Sequence, residues 1–388
     1  MRVGIIGAGA SGLYSAMLLK RKYPDWPVTI FDKEKKAGRK LLATGNGHCN
    51  LLSANLSSAS FNHKEIIENC FRDYPLPRLL DLLHSFGIVT MEVGEGIYPL
   101  TYSASSYCEL LLDILRNEGV AFRLGEIVQD YRIEETGITL KTNQANFAVD
   151  YLLICVGGKS SPSLGSDGSF FSTLKNHGYH ILPLRPGLAP MVVKEKKYLK
   201  PLAGLRHDCS ISLYKNERWI ASQNGELLFK NDGLSGICVF NLESVILRDF
   251  SKADYKLVID LFPNRNLVLP LRKSFDLFDN DFLTPFLQKP LQKEALRQYG
   301  KEKIKRVDIA PFEKVLHQFV YHFEAPYPFA NSQVSIGGVS FDDLTSSLMS
   351  KTEKNVFLLG EALDMDGVCG GNNLAWALLS ALKVSDSL

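Results

Sequence analysis

Three glycines stand where a chain could grip a charged ligand with its backbone. Gly7, Gly9 and Gly12 follow directly on the apolar run Val3-Gly4-Ile5-Ile6. An acid, Asp32, lies twenty positions past Gly12, at the end of a second apolar run, Val28-Thr29-Ile30-Phe31. Each residue type has a job. Gly7 permits a tight turn, Gly9 lets a backbone approach a pyrophosphate, and Gly12 lets helix and strand pack closely. The helix that starts here, expected over Leu13 to Lys20, faces its ligand with about half a positive charge. Asp32 can accept hydrogen bonds from a ribose diol. A lone glycine pattern of this kind is weak evidence. Within a full strand–turn–helix–strand–acid unit it is strong, and it predicts dinucleotide binding.

Further elements could complete such a site. The loop Lys33 to Lys40 reads KEKKAGRK; Lys35 and Lys36 suit solvated surface, whereas Arg39 and Lys40 suit contact with a pyrophosphate. Three glycine-rich elements follow: Thr44 to Asn50, Gly225 to Gly236, and Gly360 to Asp364 with Gly370 to Ala375. The last sets an acid after a buried strand and two glycines before a helix. Unpaired N–H groups at a helix start can stabilise the N1–C2=O edge of a reduced flavin, and Glu361 or Asp364 could hold ribityl hydroxyls. Ordinary caps and turns would also place Asn and Gly there. Gly157 and Gly158 follow the apolar run Tyr151 to Val156, where either a cofactor or a tight turn would want glycine. For a general acid the candidates are His48, Cys49 and Cys369, and a packing role competes with catalysis at each.

The elements that must position these residues fit a soluble globular chain. Its 388 residues allow two or three domains, with 45% hydrophobic and 22% charged residues. A formal net charge of +2 demands neither nucleic acid nor a membrane. No apolar run reaches the ~20 residues of a membrane span, and the N-terminal stretch reads as a buried strand, not a signal peptide. Seven widely spaced cysteines without C-x-x-C argue against disulfides, structural zinc or a disulfide reductase. A cytoplasmic location is expected. Helices are expected at Glu65 to Phe71, Leu76 to Phe86 and Ser105 to Glu118, then a strand at Ala121 to Val128 and a β-meander at Tyr131 to Leu140 and Asn146 to Val149. Strands are favoured from about 186 to 262, helices over 270–323, and strands and glycines again from Val334. The domain expectation is residues 1–185 with 331–388 for the dinucleotide, 186–265 β-rich, and 266–330 a helical cap.

Taken together, GAGASG, GRKLLATGNGHCN, CVGG with SDGSFF, GELLFKNDGLSG, SIGGV and LLGEALDMDG…GGNNLA resemble the BaiN/YhiN-type (aminoacetone oxidase-like) FAD-binding oxidoreductases over nearly the whole chain. The resemblance implies an α/β fold: a discontinuous glutathione-reductase-like Rossmann FAD domain with an inserted β-barrel-like domain and a helical cap. It implies non-covalent FAD, with Gly7, Gly9, Ser11, Gly12 and Asp32 at the adenosine and pyrophosphate end. Arg39, Lys40, Gly45, Asn46 and Cys49 would line the flavin side. Gly360, Glu361, Asp364, Gly371, Asn373 and Leu374 would bind ribityl and isoalloxazine. Ala10, Lys33, Val128, Gly157, Gly158 and Asn372 are further cofactor-site candidates. Departures from the family pattern fall at His48, Leu52-Ser53, Lys230-Asn231, Cys369, Asn372 and Ala375, near the expected flavin and substrate face.

The reaction expected is flavin-dependent reduction or dehydrogenation of an unsaturated small molecule. There is no second dinucleotide unit, so the reductant, NAD(P)H or another donor, would bind only transiently over the flavin. Competing readings are a ribosomal RNA dihydrouridine synthase, an amine oxidase, or a non-catalytic flavin redox sensor. The basic stretch Lys301 to Arg306, with Lys293 and Arg297, is compatible with RNA, but a solvated helix face is favoured.

Overall fold

A computed structural model describes residues 1–249, 251 and 253–388, with the backbone alone at 280. The chain forms two compact units, residues 1–186 with 332–388, and residues 187–331.

The first unit is built on a five-stranded parallel sheet. Its order is Val356–Leu358, Tyr151–Ile154, Val3–Ile6, Val28–Asp32 and Ala121–Leu124. The central strand is fully buried, as a sheet covered on both faces requires. Helices Ala10–Lys22 and Asn372–Ser387 pack against each other, and both are mostly buried. Against Gly4 stand Leu140 and Val149 of the antiparallel meander Val128–Glu134, Gly137–Thr142 and Asn146–Val149. The register aligns Ile6 with Phe31 and with Ile154, and Ile154 with Leu358. Four carboxyl ends therefore finish level, the edge where open α/β sheets bind ligands.

The expected strand Ala121 to Val128 divides in two. Gly125 takes φ +75°, Glu126 N–H donates to Asp32 O, and Val128 starts the meander.

The second unit is a closed six-stranded barrel, in the order Met191–Val193, Gly233–Ser235, Arg218–Phe229, Arg206–Lys215, Tyr255–Asp260 and Phe319–Pro326. The last strand pairs back to the first. Two sequence expectations need correction here. The apolar helix Ile237–Arg248 interrupts the stretch expected to favour strands, because its residues bury against the barrel and packing overrides their β propensity. Phe319–Pro326 is a strand within the stretch expected to be helical. Helices Val268–Phe278, Lys289–Tyr299 and Ile309–Leu316 are thus inserted between two adjacent barrel strands.

Candidate active site

The first glycine turn is fixed by its own packing at two of three positions. Gly7 has φ +108°, and a Cβ there would lie 2.2 Å from the Cys155 carbonyl oxygen. A Cβ on Gly12 would lie 2.0 Å from the Gly7 oxygen. Gly9 differs: a Cβ there would meet nothing within 4 Å. It caps the helix Ala10–Lys22 with no side-chain cap and no acid in the first turn. The N–H groups of Ala10, Ser11 and Gly12 are thus presented as backbone donors beside open space. Asp32 braces this turn by accepting from the Ala8 and Glu34 N–H groups, both at 2.7 Å. Burial nevertheless raises its carboxyl above the usual range, with those bonds working the other way. A cavity beside it is lined by Gly7, Asp32, Val128, Gly157, Gly168 and Phe171 among others.

The second turn meets the first. Gly360 has φ +63°, and a Cβ on it would fall 2.6 Å from Ser11 Oγ. Its neighbour Glu361 organises a buried-edge network. Lys40 Nζ lies 2.5 Å from Glu361 Oε2 and donates to Ser160 Oγ at 2.6 Å. Ser160 Oγ and the Ser335 N–H donate to Glu361 Oε1 at 2.9 and 2.7 Å. The Ser335 hydroxyl accepts from the N–H groups of Lys159 and Ser160. Gly158 must be small here, since a Cβ would fall 2.4 Å from Ser335 Oγ.

Beyond it, Gly371 caps Asn372–Ser387, again without a side-chain cap or an acid in the first turn. Asn373 is committed to the backbone of Gly367, bonding both its N–H and its carbonyl at 2.9 Å. Asn372 donates to the Val368 carbonyl, yet its buried Oδ1 has no hydrogen-bond partner among the described residues. Leu374 is half-buried beside it. The Asp364 carboxylate pairs with His63 Nε2 at 2.8 Å.

The remaining candidates divide by accessibility. Arg39 pairs with Glu34 and donates to the Ser163 carbonyl, and Lys33 pairs with Asp167. Gly45 and Asn46 are exposed in a turn where both take positive φ. His48 is half-buried, stacked on Tyr102 with centroids 4.0 Å apart and Nδ1 bonded to the Tyr102 carbonyl at 2.9 Å. Cys49 is fully buried, and burial pushes its thiol up to about 12, so it keeps its proton at neutral pH. Cys369 is half-buried, with Sγ 4.0 Å from Gln333 Oε1.

The glycines of Gly225 to Gly236 belong to the barrel unit. A Cβ at Gly233 or Gly236 would clash there with the carbonyl oxygen of Met191 or Glu226, so strand packing accounts for these two glycines.

Three observations fit an adenine–flavin dinucleotide in the first unit: the open side of Gly9, two helix starts without side-chain caps, and an Asn372 Oδ1 with no partner among the described residues. Sequence reasoning missed Glu34, His63, Ser160 and Ser335. Ser160 and Ser335 carry a signal in retrospect, being hydroxyls beside the CVGG and SIGG glycines. Nothing in the sequence pointed to His63.

A glycine-turn α/β unit with these two open helix ends fits a class, the flavin-dependent oxidoreductases. Over residues 1–387 the chain matches the HI0933-like protein Rossmann domain family, and it belongs to that family. It is 30% identical over 394 residues to the 3-dehydro-bile acid delta(4,6)-reductase of Clostridium scindens, covering 97% of this chain and 96% of that one. It is 27% identical over 401 residues to the ribosomal RNA dihydrouridine synthase of Haemophilus influenzae, covering 99% and 97%. The 3-ketosteroid delta1-dehydrogenase of Sterolibacterium denitrificans, solved with 1,4-androstadiene-3,17-dione, has a similar fold. Its TM-score is 0.52 at 10% identity, with 100% of this chain and 99% of that chain covered.

Proposed function

We propose that the protein binds FAD non-covalently across the two glycine turns and reduces a carbon–carbon double bond conjugated to a carbonyl, with NAD(P)H as the transient reductant. The meeting of Gly360 with Ser11 carries this reading: it joins the first glycine turn to Gly360, whose carbonyl accepts from Trp376 in the first turns of Asn372–Ser387. Bound FAD would supply the two electrons. The N–H groups of Ala10 to Gly12 would hold the pyrophosphate, with Val128, Gly157 and Asp32 around the adenosine. Gly371, Asn372, Asn373 and Leu374 would face the ring, and Asn372 Oδ1 could accept from a ring N–H. Lys40 and Glu361, with Gly45 and Asn46, would stand between. A cytoplasmic location fits seven free cysteines, six of them buried.

One relative is named a 3-dehydro-bile acid delta(4,6)-reductase and the other a ribosomal RNA dihydrouridine synthase, and reduction of a double bond conjugated to a carbonyl is the chemistry we infer to be common to both. The small-molecule reading is favoured here. Within the basic stretch, Lys301 pairs with Asp308 and Arg306 with Asp276, while Arg297 is held by Glu294. Those cations are partly neutralised, which weakens a phosphate-backbone footprint. Lys293, Lys303 and Lys305 keep the RNA reading in view.

Purified protein should be yellow, bleach under anaerobic NADH or NADPH, and recover colour on adding 3-oxo-4-cholenoic acid. Protein without flavin, or reduced flavin that this acceptor never re-oxidises, would overturn the proposal. A dihydrouridine missing from the ribosomal RNA of a deletion strain would select the RNA substrate.

A further inference from the structure

Reducing a conjugated double bond needs an acid as well as electrons. Of the residues the sequence offered, Cys49 is sealed in the core with its proton held. His48 lies flat on Tyr102. Another histidine is better placed. The segment Ser60 to His63 lies along the loop that precedes the helix start at Asn372. Val368 N–H donates to the Ser60 carbonyl at 2.8 Å, Phe61 bridges Gly367, and Asn62 exchanges bonds with Asp366. Asn62 Nδ2 also donates to the Asp364 carbonyl at 3.1 Å. This brace brings His63 to the Asp364 carboxylate at 2.8 Å.

The chemistry of that contact fixes the tautomer. A carboxylate only accepts, so Nε2 carries the hydrogen and Nδ1 is the working nitrogen. The other histidines in contact with carboxylates in this unit are differently placed. His177 has both ring nitrogens engaged, by Asp130 and Glu353, and His180 stands out in solvent. The His63 ring also contacts Phe341, with centroids 5.1 Å apart, and Phe341 contacts Trp376 at 6.0 Å. Trp376 Nε1 donates to the Gly360 carbonyl at 2.9 Å. Two ring contacts therefore link His63 to the turn that meets Ser11.

We propose that His63 is the catalytic proton donor and that Asp364 positions it. This rests on the conjugate-reduction reading above. FAD reduced by NAD(P)H would supply a hydride to the β-carbon of the unsaturated carbonyl, whose π electrons would move to give an enolate. The imidazolium Nδ1–H bond then breaks, its proton bonds to the α-carbon, and the ring is left neutral with its Nε2–H still on Asp364. Solvent restores the proton, since the side chain is about a third exposed. Asp364, a ribityl candidate from sequence, is reassigned by this contact to holding the histidine.

The test separates the half-reactions by anaerobic stopped flow, using 3-oxo-4-cholenoic acid as the acceptor. His63→Gln should keep flavin content and the rate of reduction by NAD(P)H, but re-oxidise about 10²-fold or more slowly, with partial rescue by added imidazole. Asp364→Asn should lower the limiting re-oxidation rate with little change in apparent acceptor affinity, a split that a merely structural bond would not give. Wild-type re-oxidation matched by His63→Gln would overturn the acid assignment alone. Failure of the wild type to be re-oxidised would overturn the conjugate-reduction reading and this assignment with it.

Discussion

The two open helix ends of the first unit look alike in backbone and differ in everything around it. The start of Ala10–Lys22 offers bare N–H groups beside a glycine whose missing side chain faces open space. The start of Asn372–Ser387 is crowded: a Cβ on Gly371 would fall 2.5 Å from the Leu52 carbonyl carbon, Asn373 is locked to Gly367, and Asn372 keeps one oxygen without a partner among the described residues. The first arrangement suits a group recognised by charge alone. The second suits a group recognised by shape and by hydrogen bonds, as the reacting end of a cofactor is. On the proposed reading, one end would bind generically and the other would discriminate.

The sharpest way to break this contrast is at Gly9 and Gly12, which belong to one turn but are glycine for opposite reasons. Gly9→Val should fold, since its side chain enters open space, yet weaken FAD binding on the order of 100-fold or more by occupying the pyrophosphate approach. Calorimetric titration checks this, and unchanged affinity would remove the turn from the site. Gly12→Ala should behave the other way, losing about 3 kcal/mol of stability through its clash with the Gly7 carbonyl, as strained or overpacked positions do. Denaturant unfolding with FAD absent measures it directly.

At the crowded end a smaller effect is expected. Asn372→Leu removes the unpartnered oxygen and one bond to Val368. It should weaken FAD roughly fivefold, in keeping with about 1 kcal/mol for one buried hydrogen bond, and lower stability by no more than about 1 kcal/mol through the lost bond to Val368. A strong loss of stability with unaltered affinity would make Asn372 a packing residue.

The smallest effect lies away from both ends. Burial alone would lower the His177 pKa, but its bonds to Asp130 and Glu353 outweigh that and raise it. A raised folded value means that the charged form stabilises the fold. The contribution is full below the unfolded value of about 6.5 and fades as pH rises through the raised one. His177→Gln should flatten the stability profile in that window, as read from unfolding midpoints. It should leave flavin affinity at neutral pH unchanged.

Legibility in the sequence follows the same divide. The turn at Gly7 to Gly12 and the strand ending in Asp32 were readable because local spacing alone specifies them. A sheet covered on both faces followed from the wholly apolar run Tyr151 to Val156. Helix Ile237–Arg248 was not readable, because its apolar residues suit strand and helix alike and only burial against the barrel decides. The partners of Glu361 come from Lys40, Ser160 and Ser335, which no local pattern connects. His63 meets Asp364 across 301 positions, a pairing that only the fold creates.

The central claim is that one dinucleotide spans both helix ends, and a crystal structure of the FAD complex tests it most directly. The account predicts pyrophosphate oxygens against the N–H groups of Ala10 to Gly12 and the isoalloxazine ring against Asn372 to Leu374. A ligand that touches one of these ends and turns away from the other would contradict it.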